Sequence, residues 1–202
     1  MTSFAHHPDD PLIAWVGTRD AGGGVETRLY TVPKTGGLPT ALPMPTSGAG
    51  AFSPDGSKMV YSPLFRDFRH WKRYQGGWAQ DLYIFDLDSH DLTQITDDPR
   101  SDRDPMWIGE TIYFSSDRDG KLNIYAYDVA STRTEQITHS DTWDVRWPSH
   151  DGSGRIVYEM NGELQILDVA SKRSTALSIF VPDDGLARRP ARIYAANRLE
   201  DW

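Results

Sequence analysis

Five basic or potentially basic side chains crowd into one short stretch of this sequence, at Arg66, Arg69, His70, Lys72 and Arg73. Phe65, Phe68, Trp71, Tyr74 and Trp78 are interleaved with them between Leu64 and Gln80. Guanidinium and ammonium groups at that density suit an anion. They would hold a carboxylate or phosphate by charge-assisted hydrogen bonds, with the rings stiffening the loop and offering faces for stacking. The competing reading is a long hairpin that packs its aromatics on a neighbouring sheet and leaves its charges in water. Basic–aromatic interleaving also occurs in single-strand nucleic-acid binders. The chain as a whole argues against that: 21 Lys and Arg stand against 29 Asp and Glu, a net charge of −8. A nucleic-acid partner leaves a basic footprint, and none is expected here.

The other candidate chemistry resolves mostly into absences. The sequence holds no G-x-S-x-G, no P-loop and no H-E-x-x-H. Gly22-Gly-Gly24 reads as a hairpin tip, without the strand-to-helix setting of a dinucleotide site. His6-His7 with Asp9-Asp10 could ligate a metal, but a polar terminal tail is the plainer account. Asp117-Arg-Asp-Gly120 resembles a calcium loop without the later bidentate Glu, and a hairpin tip accounts for it. His90, His139 and His150 are assigned to loops with no apparent Ser or Cys partner. No catalytic residue, metal ligand or cofactor is therefore expected. With no Cys, disulfide and thiolate chemistry are excluded. The start lacks the basic and apolar regions of a signal peptide, and no apolar run approaches the ~20 residues that span a bilayer. A cytoplasmic protein without a membrane partner is the expectation.

What positions such a loop is a repeat. Leu29-Tyr-Thr-Val32, Leu82–Leu87, Leu122–Val129 and Leu164–Val169 share one strand type, each followed by a turn and a Thr- or Ser-rich strand. Asp86, Asp128 and Asp168 are spaced 42 and 40 apart, and Ile95, Ile137 and Leu177 repeat those steps. As a third anchor, Asp104-Pro-Met-Trp107 is aligned with Asp144-Val-Arg-Trp147, and both with Phe52 and Trp202. A turn and a further strand follow, as in Lys58–Tyr61, Thr111–Phe114 and Arg155–Tyr158. Four antiparallel strands at that period make a β-propeller blade. Asn161-Gly162 is a two-residue hairpin signal. The third strand is apolar on both faces, which predicts cover by neighbouring blades on both sides. The fold class is all-β, a propeller of four-stranded antiparallel blades.

Blades are expected at about 12–46 (lacking its first strand), 50–97, 103–138 and 143–178, with 198–202 opening another. That makes three whole blades and two partial ones, an incomplete propeller cut inside a strand. The alternative is a closed four-bladed ring, with the terminal strand completing the first blade. An open arc would expose apolar faces at its ends and behave poorly alone. The Leu64–Gln80 stretch adds about 11 residues between the second and third strands of the 50–97 blade.

Phe52-Ser-Pro-Asp-Gly56, Tyr113-Phe-Ser-Ser-Asp-Arg-Asp-Gly120 and the Gln-Ile-Thr elements resemble the propeller repeat shared by TolB, prolyl-oligopeptidase-like enzymes and tricorn peptidases. Arg69–Tyr83 is similar to a stretch in the six-bladed first propeller of bacterial tricorn-like serine peptidases, and 181–202 to a connector there. The resemblance implies a non-catalytic propeller segment that acts as a channel and positions peptide substrates. It implies further that a basic pair anchors the peptide's C-terminal carboxylate, with Lys72 and Arg73, together with Arg69, as its counterparts here. The serine nucleophile would lie in downstream domains of a homo-oligomeric parent. A standalone TolB-like propeller working through protein–protein contacts is the alternative.

Overall fold

The computed structural model describes residues 4–6 and 12–17 as backbone, and 27–44, 46–64, 72–180, 182 and 185 with their side chains. Within them sixteen strands form four antiparallel sheets of four, each in chain order from one edge to the other. The first sheet holds β1 (Phe4–His6), β2 (Leu12–Gly17), β3 (Arg28–Pro33) and β4 (Thr40–Ala41). The second holds β5 (Gly50–Phe52), β6 (Lys58–Tyr61), β7 (Tyr83–Asp86) and β8 (Leu92–Gln94). β9 (Asp102–Ile108), β10 (Thr111–Ser116), β11 (Asn123–Asp128) and β12 (Arg133–Gln136) form the third. The fourth contains β13 (Arg146–His150), β14 (Arg155–Met160), β15 (Glu163–Asp168) and β16 (Arg173–Ala176). The first strands β1, β5, β9 and β13 touch one another in chain order, so the sheets fan out as propeller blades.

The repeated residues have definite jobs. Asp86, Asp128 and Asp168 end the third strand, and each accepts the amide three residues on (Ser89, 3.0 Å; Ser131, 2.7 Å; Ser171, 2.8 Å). The next residue then turns left-handed, at His90, Thr132 and Lys172 (φ 63°, 57° and 55°), and the hairpin closes. In Gln-Ile-Thr, the Thr hydroxyl accepts the amide that begins the third strand: Leu82 to Thr96 at 2.9 Å, Ile124 to Thr138 at 2.8 Å. The Gln side chain donates to the carbonyl of that same Thr, from Gln94 at 2.7 Å and Gln136 at 2.8 Å. Asn161-Gly162 is a two-residue turn with both φ positive (57° and 81°), the combination that suits the strand twist.

Three clusters fill the three junctions between successive blades. Leu29, Met44, Phe52, Met59, Tyr61 and Phe85 join the first and second. Val60, Leu82, Trp107, Ile112, Phe114 and Tyr125 join the second and third. Met106, Ile124, Ile137, Val145, Ile156 and Leu167 join the third and fourth. Residues 123–127 of β11 are all buried, as a strand covered on both faces requires.

Three expectations change. The first blade does not lack its first strand: Phe4–His6 pairs with Leu12–Gly17, so the place reserved for 198–202 in the ring alternative is taken. Residues 198–202 themselves lie outside the described residues. Next, Trp147 is not the counterpart of Trp107. Met59, Ile112 and Ile156 are equivalent along the second strands, and they pair with Phe52, Trp107 and His150. Arg103-Asp-Pro105 matches Arg146-Trp-Pro148 instead, with a left-handed residue before each proline (Asp104 φ 54°, Trp147 φ 52°) and a register shift beside it. Both strands carry this bulge; the 40-residue step fails here because the β14–β15 hairpin is shorter, with Ile156 paired to Leu167 where the equivalent Ile112 pairs to Tyr127. Third, His150 lies in β13 and not in a loop.

Candidate functional site: a basic cavity at the junction of the third and fourth blades

The insertion between β6 and β7 reappears at Lys72, since Arg69 and the rest of 65–71 lie outside the described residues. From the second blade it reaches across the third. The Arg73 Nε donates to the Gly120 carbonyl at the β10–β11 hairpin tip. Lys72 Nζ lies 2.5 Å from Asp144 Oδ2, and the Arg73 guanidinium 3.5 Å from Asp144 Oδ1. Asp144 belongs to the connection that enters β13, so one carboxylate holds both cations against a neighbouring blade.

That carboxylate is itself well fixed. Its side chain is 6% exposed, and Oδ1 also accepts the Leu122 amide at 3.1 Å. Buried Asn123 anchors the connection before it: its side chain accepts from Thr138 (2.9 Å) and the Ser140 amide (2.8 Å) and donates to the Ser140 carbonyl (3.0 Å). Ser140 in turn donates to the Trp143 carbonyl at 2.6 Å. Burial works to raise the Asp144 pKa. The hydrogen bonds from Lys72 and Leu122 and the charges of Lys72 and Arg73 outweigh it, so the group titrates below the ordinary carboxylate range.

Beside this cluster lies a cavity of about 450 Å³, within the range of small-ligand sites. Lys72, Arg73, Lys121, Arg146, Asp144 and Glu159 supply its charged lining, four cations against two anions. The lining also includes Trp143, Thr142 and the Asn161-Gly162 turn. A locally positive cavity in a chain of net charge −8 is suited to an anion.

Of the sequence candidates, the structure brings Lys72 and Arg73 together. It adds Lys121, together with Asp144 and Arg146, which the sequence had marked only as part of a repeat anchor and not as site residues. Asp144 lies 72 residues from Lys72 and meets it only through the packing of blades. His7, Asp9, Asp10 and residues 22–24 lie outside the described residues, while several other candidates are employed in the fold. Asp117 accepts the Ser101 amide at 3.0 Å, Asp119 accepts from the Tyr125 hydroxyl, and Arg118 grips buried Asp102 through two 3.0 Å bonds. The His90 ring stacks on Phe85, and His150 Nδ1 accepts the Gly152 amide at 3.2 Å. Among the described residues no group of three His, Cys, Asp or Glu is placed to hold a metal, and no helix is long and apolar enough to cross a membrane.

Residues 2–173 match the family described as the tricorn protease N-terminal beta propeller domain. The chain belongs to that family. Its relatives include tricorn protease homolog 1 of Streptomyces coelicolor, 33% identical over 138 residues, covering 68% of this chain and 13% of that protein. The tricorn protease of Thermoplasma acidophilum is 26% identical over 141 residues, again 68% of this chain and 13% of the relative. The tricorn-family chain thus spans about an eighth of the length of these relatives. Among solved structures it is similar to TolB from Acinetobacter baumannii (TM-score 0.67, 21% identity, 87% of this chain and 43% of that one). The crystal structure of the tricorn protease is matched over 90% of this chain and 23% of that one, with a TM-score of 0.53 and 20% identity. At those identities the structural likenesses bear on the fold alone.

Proposed function

We propose that this propeller is a non-catalytic, substrate-positioning segment of a tricorn-like serine peptidase, and that it forms part of a channel for peptides. In this reading Lys72 and Arg73, with Arg69, receive the C-terminal carboxylate of the peptide. The serine nucleophile belongs to other domains of the parent, which works as a homo-oligomer in the cytoplasm. The reading rests on family membership together with one observation: two adjacent cations of the insertion are delivered, side by side, to the wall of a positive cavity. Asp144 neutralises only part of their charge, so the pair keeps attraction for an incoming carboxylate. The exposed half of the Lys72 side chain can exchange partners at small cost, because an ion pair in contact with water contributes about 1 kcal/mol or less.

The test uses the full-length enzyme with Lys72 and Arg73 both replaced by Ala. Loss of charge-assisted bonds to a carboxylate should raise KM for peptides with free C-termini by about tenfold or more. Peptides amidated at the C-terminus should be cleaved as by the wild type. An equal loss on both sets would remove the carboxylate anchor. The TolB-like reading, protein–protein binding by a standalone propeller, predicts no peptide discrimination of either kind.

A further inference from the structure

The proposed anchor uses two of the four cations in the cavity. Lys121 and Arg146 are left over, and their surroundings are informative. Lys72 and Arg73 are tethered by Asp144, whereas neither the Lys121 nor the Arg146 side chain has an ion-pair or hydrogen-bond partner among the described residues. Arg146 faces Glu159 across the β13–β14 pair, yet the two form no ion pair. Glu159 turns instead to the adjoining hairpin, where its Oε1 accepts the Gly162 amide at 2.5 Å. The third and fourth blades therefore each present one unpaired cationic side chain to the cavity that the tethered pair also lines.

We propose that Lys121 and Arg146 form a second carboxylate subsite, so that the preferred ligand is a peptide whose C-terminal residue is Asp or Glu. The inference rests on the anchor reading above and adds the substrate class. The backbone carboxylate goes to Lys72 and Arg73, and the side-chain carboxylate to Lys121 and Arg146. Formal charge agrees: four cations less two carboxylates leave an excess of two, which a dianionic C-terminal residue matches. Arg146 offers a planar fork for bidentate binding, and Lys121 a mobile point charge. The Asn161 side chain, on the same lining, adds a neutral donor.

Calorimetric titration of the full chain with three acetylated tripeptides at low salt tests this. One ends in Glu with a free carboxylate, one ends in Gln with a free carboxylate, and one ends in Glu amide. The Glu peptide should bind about tenfold more tightly than the Gln peptide, and the preference should shrink as salt rises. The double variant Lys121→Met, Arg146→Met should bind Glu and Gln equally while still preferring free over amidated ends. Lys121→Arg should keep the Glu preference. Because neither side chain supports another group, the double variant should melt with the wild type. Equal binding of Glu and Gln peptides by the wild type overturns the second subsite and leaves the anchor standing. Equal binding of free and amidated Glu peptides, with Glu still preferred over Gln, overturns the anchor and leaves the side-chain subsite. No binding of any peptide overturns both.

Discussion

Asp144 carries three loads at once: the Leu122 amide and the cations of Lys72 and Arg73. Replacing it with Asn keeps an acceptor for the amide and removes the charge that gathers the pair. Asp144→Asn should therefore destabilise the chain by about 1 kcal/mol at pH 7. Its folded pKa is lowered, so that contribution exists above the unfolded value of about 4 and disappears as pH falls through the folded one. Urea unfolding of variant and wild type should converge in acid; a gap that persists there would show the loss to be packing. Asp81 should behave in the opposite sense. It sits between buried Gln80 and Leu82, and burial followed by the charge of Asp102 raises it to about 6, with Asp97 and Asp98 adding smaller repulsions and Thr96 opposing them. Between about pH 4 and pH 6 the folded state keeps a proton that the unfolded chain has released, so stability falls as pH rises through that window. Asp81→Asn should match the wild type near pH 4 and exceed it at pH 7 by about 1 kcal/mol, after discounting for solvent screening. Parallel curves would place the Asp81 carboxyl in ordinary water. At this scale the sequence shows only half of the site. The density of Arg and Lys in 66–73 marks the insertion, but nothing local to Asp144, Lys121 or Arg146 distinguishes them from solvated charges.

The elements were more readable, because the hairpin chemistry repeats with the sheet. Asp86, Asp128 and Asp168 close equivalent turns, and Thr96 and Thr138 cap equivalent strands, so their spacing reports the period directly. Trp107 and Trp147 misled because residue type was matched without register. The left-handed residues before proline, Asp104 and Trp147, mark the true equivalents, and the shorter β14–β15 hairpin brings the third strands back to their 40-residue step. The left-handed conformation is costly for a side chain with a Cβ and is disfavoured before proline. The two indoles consequently differ in worth. Trp107 is 7% exposed in the junction of the second and third blades, and its Nε1 donates to the Gly109 carbonyl at 3.1 Å. Trp107→Ala should cost about 3–5 kcal/mol. Trp147 is 64% exposed, and Trp147→Ala should change unfolding free energy by no more than about 0.5 kcal/mol. Comparable losses in the two variants would restore the 40-residue alignment and remove the bulge.

Across the whole molecule, one residue position measures how each blade is covered. Leu29, Leu82, Ile124 and Leu164 stand at the start of the third strands of the four blades, and the carbonyl of each accepts the amide that follows the fourth strand. The first three are at most 1% exposed, while Leu164 is 39% exposed. Ile137 and Leu177 repeat the contrast at 6% and 39%. Local sequence is nearly the same in these places, so the difference comes from the neighbouring sheet: the third blade has the fourth against it, and the fourth offers its far face to water. Ile179 and Phe180 extend that apolar surface at 62% and 86% exposed. A patch of this kind favours association, since each buried Leu is worth about 1.5–3 kcal/mol. The 202-residue chain should therefore bind an apolar fluorescent dye while folded and should self-associate as its concentration rises. Replacing Leu164 and Leu177 with Lys should reduce both effects, with little change in unfolding free energy, because each is exposed enough for an ammonium group to reach water. Ile124→Lys, the same change one blade earlier, should prevent folding by burying an unpaired charge. If the Leu164 and Leu177 variant unfolds as readily as the Ile124 variant, the far face of the fourth blade is already covered and the open side of the fan lies elsewhere.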